Sequence, residues 1–213
     1  MRKMAEEQNK DLGLTTNRLE ALTDGIFAIA MTILVLNLTI PDAGQAVTGA
    51  ALHNLLFNQA DKFFNYIRSF LLLAIVWIIL HQQFHSIVRT DWKHIWTNIV
   101  LLMFVVLIPF STSLSGDFPN DWMTEFIFGL NLFVVGVLLQ LHWHYATSGH
   151  RLVRANLSKE KINVSKKRGT VTPAIALLAM VISVFSPENA SYVYILIPVV
   201  LLLPFFHDKK LRD

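Results

Sequence analysis

Cysteine is absent from the 213 residues, which removes disulfide scaffolds, thiolate metal sites and cysteine nucleophiles from consideration. Charge is scarce too: 15% of residues are charged against 54% hydrophobic, and mean hydropathy is +0.48, a balance unsuited to a water-soluble globule. Lipid is the solvent this composition fits. The opening stretch MRKMAEEQNKDLGLTTNR has mixed charge, no apolar core and no small-residue cleavage site, so it lacks the form of a secretory signal peptide. Internal repeats and low-complexity tracts are missing as well. A pI near 9.2 and a formal charge of +3 could suggest nucleic acid. The basic residues, however, fall in a pattern that reads as membrane topology, and no nucleic-acid partner is expected.

Long apolar runs are what the chain does have. Stretches able to cross a hydrocarbon core of about 30 Å occur at Leu19 to Ile40, Phe63 to Phe84, Ile95 to Leu114 and Trp122 to Trp143. A last apolar block is split by Ser186-Pro187-Glu188-Asn189 into Thr170 to Phe185 and Ala190 to Phe206, read as a helical hairpin. The expected fold is therefore all-α: a polytopic bundle of six transmembrane helices, because unpaired backbone groups are too costly in lipid for anything else at these lengths. Positive charge is retained on the cytoplasmic side of short connections. Here the N-terminal tail, the second connection (Arg89, Lys93), the fourth (Arg151, Arg154, Lys159, Lys161, Lys166, Lys167, Arg168) and the C-terminal tail carry it. The other connections carry Asp42, Asp61, Asp117, Asp121, Glu125 and Glu188, with Lys62 the exception. Both termini are thus expected in the cytoplasm, which requires an even number of spans. The first connection, with Leu52, Leu55, Leu56 and Phe57, reads as a short amphipathic helix on the outer surface. The basic fourth connection serves topology and can meet anionic lipid headgroups.

Within these spans a few polar groups stand out. A carboxylate in a membrane helix is expensive unless paired, and Asp24 lies roughly 10 Å into the first span at 1.5 Å per residue. Span one starts, span two ends and span three starts on the same side, so Trp77, His81 and Asn98 lie at comparable depth. A network of Arg18, Asp24, Trp77, His81 and Asn98 holding three helices in register is expected, with a proton relay as the alternative use of the same groups. Arg68, near the outer end of span two, is expected to snorkel outward. His81 and His85 share a helix face at metal-binding spacing, and His142 lies near His144, but no third ligand is placed and no metal is expected. On a helical wheel Thr32, Ile33 and Leu36 fall within about 60° of Ile29, whereas Asp24 lies about 140° away. Several copies around an axis would stack Ile29, Ile33 and Leu36 as apolar rings able to gate by dewetting, with Thr32 between them. A lipid-facing stripe or a helix contact would give the same pattern.

The segments RLEALTDGIFAIAMTILVLNLTIP, WIILHQQFHSIVRTD and WTNIVLLMFVVLIPFSTSL resemble the prokaryotic branch of the transmembrane protein 175 family of lysosomal-type, potassium-permeable channels. The family signature is an Arg, three variable residues, then Phe-Ser-Asp-Gly. Arg18, Asp24 and Gly25 match it; Leu22 replaces the Phe and Thr23 the Ser. The resemblance implies a homotetramer with a central pore lined by the first helix. It places the constriction on Ile29, with Ile33 and Leu36 beyond it and Thr32 as a polar ion contact. The chain lacks the TVGYG filter, so selectivity would arise by another route.

The resulting expectation is a passive potassium channel without cofactor, K+ being the permeant ion and membrane lipids the surroundings. It comprises a cytoplasmic tail (1–17), a six-helix channel domain (18–207) and a second tail (208–213), in a bacterial or archaeal plasma membrane. A proton-coupled transporter using Asp24 and His81 is the alternative. A membrane metalloenzyme built on His81 and His85 ranks behind both, because the helices offer no converging nucleophile and base.

Overall fold

The computed structural model describes residues 15–38, 49–57 and 59–202. Residues 1–14 of the tail expected at 1–17, the tail expected at 208–213, the end of the first expected span (39–40) and the end of the last (203–206) lie outside the described residues, as do the side chains of Leu52 and Leu55. The regular elements are helical: α1 (Thr16–Ile33) continued by a 3-10 turn (Leu34–Asn37), α2 (Gly49–Phe57), α3 (Ala60–Ser86), α4 (Trp92–Asp117), α5 (Trp122–Thr147), α6 (Lys159–Phe185), α7 (Pro187–Val193) and α8 (Leu196–Leu202). Helix ends need partners for orphaned N–H groups, and side-chain oxygens supply them at four starts. Thr15 accepts from the Arg18 amide, Asp91 from His94, Asp121 from Met123 and Ser158 from Lys161.

Five of these stretches are long and apolar enough to cross a membrane: Thr16–Asn37, Ala60–Ser86, Trp92–Asp117, Trp122–His150 and Lys159–Phe185; Pro187–Leu202 is a shorter apolar stretch. The break at Ser186-Pro187 is where the sequence places it, since proline supplies no amide for the preceding turn. The α6 helix, however, starts at Lys159 rather than Thr170. Its first turns are not simply a solvated loop: Ile162 is buried, and its carbonyl accepts the Trp143 indole N–H at 3.2 Å. The first span also departs from a uniform α-helix, tightening to 3-10 after Ile33. There Asn37 Nδ2 donates to the Pro109 carbonyl at 3.0 Å, tying the end of α1 to α4.

The most extensive packing joins α5 to α6, made possible by small residues. A Cβ added at Gly136 would stand 2.9 Å from the Pro173 backbone nitrogen, and one at Gly129 would stand 2.7 Å from Met180 Cγ and the Tyr194 hydroxyl. Against this pair α3 and α4 pack, and α1 leans on α3 and α4 through Leu19, Phe27, Ala30 and Leu34.

Arg68 departs from its expected position. Only 5% of it is exposed. Its Nη1 reaches both oxygens of Glu125 at 3.3 Å and hydrogen-bonds to Ser191, while Nη2 donates to Ser115 at 3.2 Å. The guanidinium also lies 4.3 Å from the centroid of the Phe128 ring and 5.2 Å from that of Tyr194. Snorkelling loses because three polar residues and two ring faces are already within reach inside the bundle.

Candidate functional site

The α1 helix has two unlike faces. Its inward face follows the mixed i+3 and i+4 spacing of a helix, Leu19, Thr23, Phe27, Ala30, Leu34, all nearly inaccessible. The opposite face, running through Leu22, Gly25, Ile29, Thr32, Ile33 and Leu36, is exposed within the single chain. Ile29 is 58% exposed, Ile33 40% and Leu36 69%. Only 28% of the most apolar window of this span is buried, against 44–50% for the other four spans. The 3-10 turn brings Leu36 into line with Ile33, because side chains at i and i+3 eclipse in that geometry. The Thr32 hydroxyl donates to the Ile29 carbonyl at 2.8 Å, so its hydrogen is held by the helix and its remaining lone pairs face outward. A Cβ placed on Gly25 would meet nothing within 4 Å, and Gly25 lies about 40° from Ile29 around the helix.

Behind the stripe runs a polar belt linking α1 to α3 and α4. Trp77 Nε1 donates to Asp24 Oδ1 at 2.8 Å, and His81 stacks on Trp77 with ring centroids 5.4 Å apart. His81 Nδ1 lies 3.3 Å from Glu20 Oε1. Asn98, fully buried, donates through Nδ2 to the Thr23 hydroxyl at 2.9 Å, and that hydroxyl donates to the Leu19 carbonyl at 2.8 Å. Asn98 therefore enters the belt through Thr23 and His81 through Glu20, two residues the sequence reading did not assign to it. Glu20 stands one helical turn before Asp24, and Thr23 is its immediate neighbour in the chain. Arg18 opens the motif at the exposed start of the helix. A third polar group, the Arg68, Glu125, Ser115 and Ser191 cluster, ties α3, α4, α5 and α7 near their opposite ends. Its signal in the sequence was an Arg and a Glu on neighbouring spans at similar distance from the acidic side.

The histidines do not gather into a metal centre among the described residues. His85 and His144 are exposed, whereas His142 is buried with its Nδ1 2.9 Å from Gln83 Oε1.

Residues 18–109, which hold α1, α3, most of α4 and the belt, match the family model described as the endosomal/lysosomal potassium channel TMEM175. The chain is 26% identical over 174 residues to a potassium channel of Chamaesiphon minutus, covering 80% of this chain and 85% of that protein. It is 29% identical over 140 residues to a potassium channel of Streptomyces collinus, covering 63% and 66%. It is 23% identical over 196 residues to the human endosomal/lysosomal proton channel TMEM175, spanning 89% of this chain but 38% of the human protein. The fold matches that of a TMEM175 homologue from Chamaesiphon minutus, described as a lysosomal potassium-selective channel, with a TM-score of 0.77 at 24% identity over 89% of this chain and 97% of that one. With the motif residues on α1 and the belt that anchors them both inside it, this segment of the chain matches the TMEM175 family, a family of ion channels and not of enzymes.

Proposed function

We propose that the chain is one subunit of a passive, potassium-permeable channel in which four copies surround a pore lined by α1. The observation that carries this reading is the exposure of Ile29, Ile33 and Leu36 on a helix whose other face is fully packed. In such an assembly these residues form successive apolar rings, and Ile29 is the constriction that serves as gate and coarse filter. An apolar ring makes an ion shed part of its hydration, so conduction depends on pore width and wetting rather than on a fixed charge. Thr32 offers outward oxygen lone pairs between the rings, a suitable contact for a partly dehydrated cation. Asp24 serves as an anchor, since its carboxylate accepts from Trp77 on the far side of the helix. The relatives named potassium channels support K+ as the permeant ion. The distribution of Lys and Arg supports cytoplasmic tails, an even number of crossings and insertion in the plasma membrane.

The test is flux from potassium-loaded liposomes. Wild type dissipates a potassium gradient and Ile29→Asn, which wets the ring, raises the rate several-fold. No flux from the wild type, or an unchanged rate in Ile29→Asn, sinks the pore assignment. A second reading, proton-coupled transport through Asp24 and His81, draws on the titratable His81–Glu20 contact beside the Trp77–Asp24 bond. It requires saturable flux that follows a proton gradient and is lost in Asp24→Asn while assembly persists.

A further inference from the structure

At the end of the bundle that carries the basic connections, a groove of about 580 Å³ runs between α4 and α5. One end is polar, formed by Arg151, Ser148 and His144, and the other is apolar, formed by Trp96, Val100, Leu138 and Leu141. Along α5, Ser148 to Leu138 spans roughly 15 Å at 1.5 Å per residue, about half the thickness of a hydrocarbon core. Trp92 and Trp96 stand beside it as an edge-to-face pair with centroids 5.6 Å apart, both about half exposed, as in an interfacial aromatic belt.

The charge at the polar end is held in place rather than loosely displayed. After α5 the chain reverses through Gly149 and His150, whose φ values of 58° and 52° are left-handed. The Val88 amide then donates to the Leu152 carbonyl at 2.9 Å, within a short bridge between Ile87 and Val153. Arg89 Nε donates to the Arg151 carbonyl at 2.7 Å. These bonds bring two separate basic connections together and set the exposed Arg151 guanidinium 4.6 Å from the centroid of the Tyr145 ring. Asp91, the neighbouring carboxylate, is already engaged: Oδ1 accepts the His94 amide at 2.9 Å and Oδ2 the Tyr145 hydroxyl at 2.7 Å.

We propose that this groove binds one anionic phospholipid, its acyl chain along Trp96, Val100, Leu138 and Leu141 and its phosphate on Arg151. A soluble anion would leave the apolar length unfilled. A zwitterionic headgroup would bring its own cation beside Arg89 and Arg151, whereas a glycerol headgroup would not. The proposal rests on membrane insertion and is independent of the pore reading.

The experiment is native mass spectrometry of the delipidated full chain titrated with phosphatidylglycerol or phosphatidylcholine of identical acyl chains. Wild type is expected to retain phosphatidylglycerol roughly tenfold more tightly than phosphatidylcholine, the scale of one charge-assisted contact. Arg151→Gln should erase the preference, Arg151→Lys should restore most of it, and Arg154→Gln should leave it unchanged. Val100→Trp, which fills the apolar end, should remove the retained lipid while the mass of the protein assembly stays the same. Equal binding of both lipids by the wild type overturns the headgroup assignment, as does a preference that survives Arg151→Gln. If Val100→Trp leaves lipid retention intact, or changes the assembly mass instead, the groove is not a lipid site.

Discussion

The Arg68–Glu125 pair offers the sharpest energetic test of the fold, because both side chains are only 2% exposed. Removing one member of a buried pair leaves the other charge uncompensated, at a cost of about 3–5 kcal/mol. In Arg68→Met the Glu125 carboxylate keeps the Ser115 hydroxyl, and in Glu125→Met the guanidinium keeps Ser115, Ser191 and the faces of Phe128 and Tyr194. These remaining contacts put each single loss near the lower end, about 3 kcal/mol. A chain of this size shifts its melting midpoint by about 2–4 °C per kcal/mol, so each single substitution should lower it by roughly 6–12 °C. The double substitution buries no lone charge and fills similar volume with apolar atoms. It should therefore melt within a few degrees of wild type. Thermal unfolding of the four proteins in one detergent, followed by the monodisperse fraction, closes the cycle. If the double variant loses the sum of the two singles, the side chains are not coupled and the assignment of Arg68 to the bundle interior is refuted.

Gly136→Ala should destabilise by about 1–3 kcal/mol, because the added methyl meets backbone and ring atoms of Pro173 that cannot yield as a flexible side chain does; the melting midpoint reports it. Trp77→Phe removes the donor to a half-buried carboxylate and should cost about 1.5–3 kcal/mol; the reading fails if Asp24→Asn in that background is no better tolerated than in the wild type. Gly25→Leu should leave the melting of the protein nearly unchanged, since the site is open within the chain, yet reduce potassium flux in liposomes if this face lines the pore. Ile29→Asn should act in the opposite sense on flux.

What was legible in the sequence was what depends on length and periodicity. Apolar runs, the Pro187 break and the two faces of α1 follow from residue type at known spacing, and the structure places Asp24 and Ile29 on opposite sides as a regular helix requires. The belt was legible by depth, which brought Trp77 and Asn98 alongside α1. It was not legible by partner, because the choice between Asp24 and Thr23 depends on one residue of rotation, and that between Asp24 and Glu20 on one turn of axial offset, between packed helices. Arg68 was misplaced for a related reason. A lone Arg near a helix end can reach water or a buried partner at similar extension, and only the position of α5 beside α3 decides between them. The α6 extension escaped because hydropathy sees Ile162 as a single apolar residue among lysines, whereas Trp143 provides it with a buried neighbour.

The relation between belt and stripe bears on how the channel would work. Both sit on one rigid helix about 140° apart, so any rotation of α1 that moves Ile29 relative to an axis must also move Asp24 relative to Trp77. Two hydrogen bonds, Trp77 to Asp24 and Asn98 to Thr23, hold that rotation at one end. Asn37 on the Pro109 carbonyl holds it at the other. With both ends fixed, a width change at Ile29 in the proposed pore would come more readily from side-chain rotamers or from displacement of whole subunits than from twisting of α1. In the proposed pore, the residues behind the helix would thus matter to conduction without touching an ion. They would set which side chains the proposed assembly presents at its centre, and a variant such as Trp77→Phe should then alter the unitary properties of the pore, not only the amount of protein that folds.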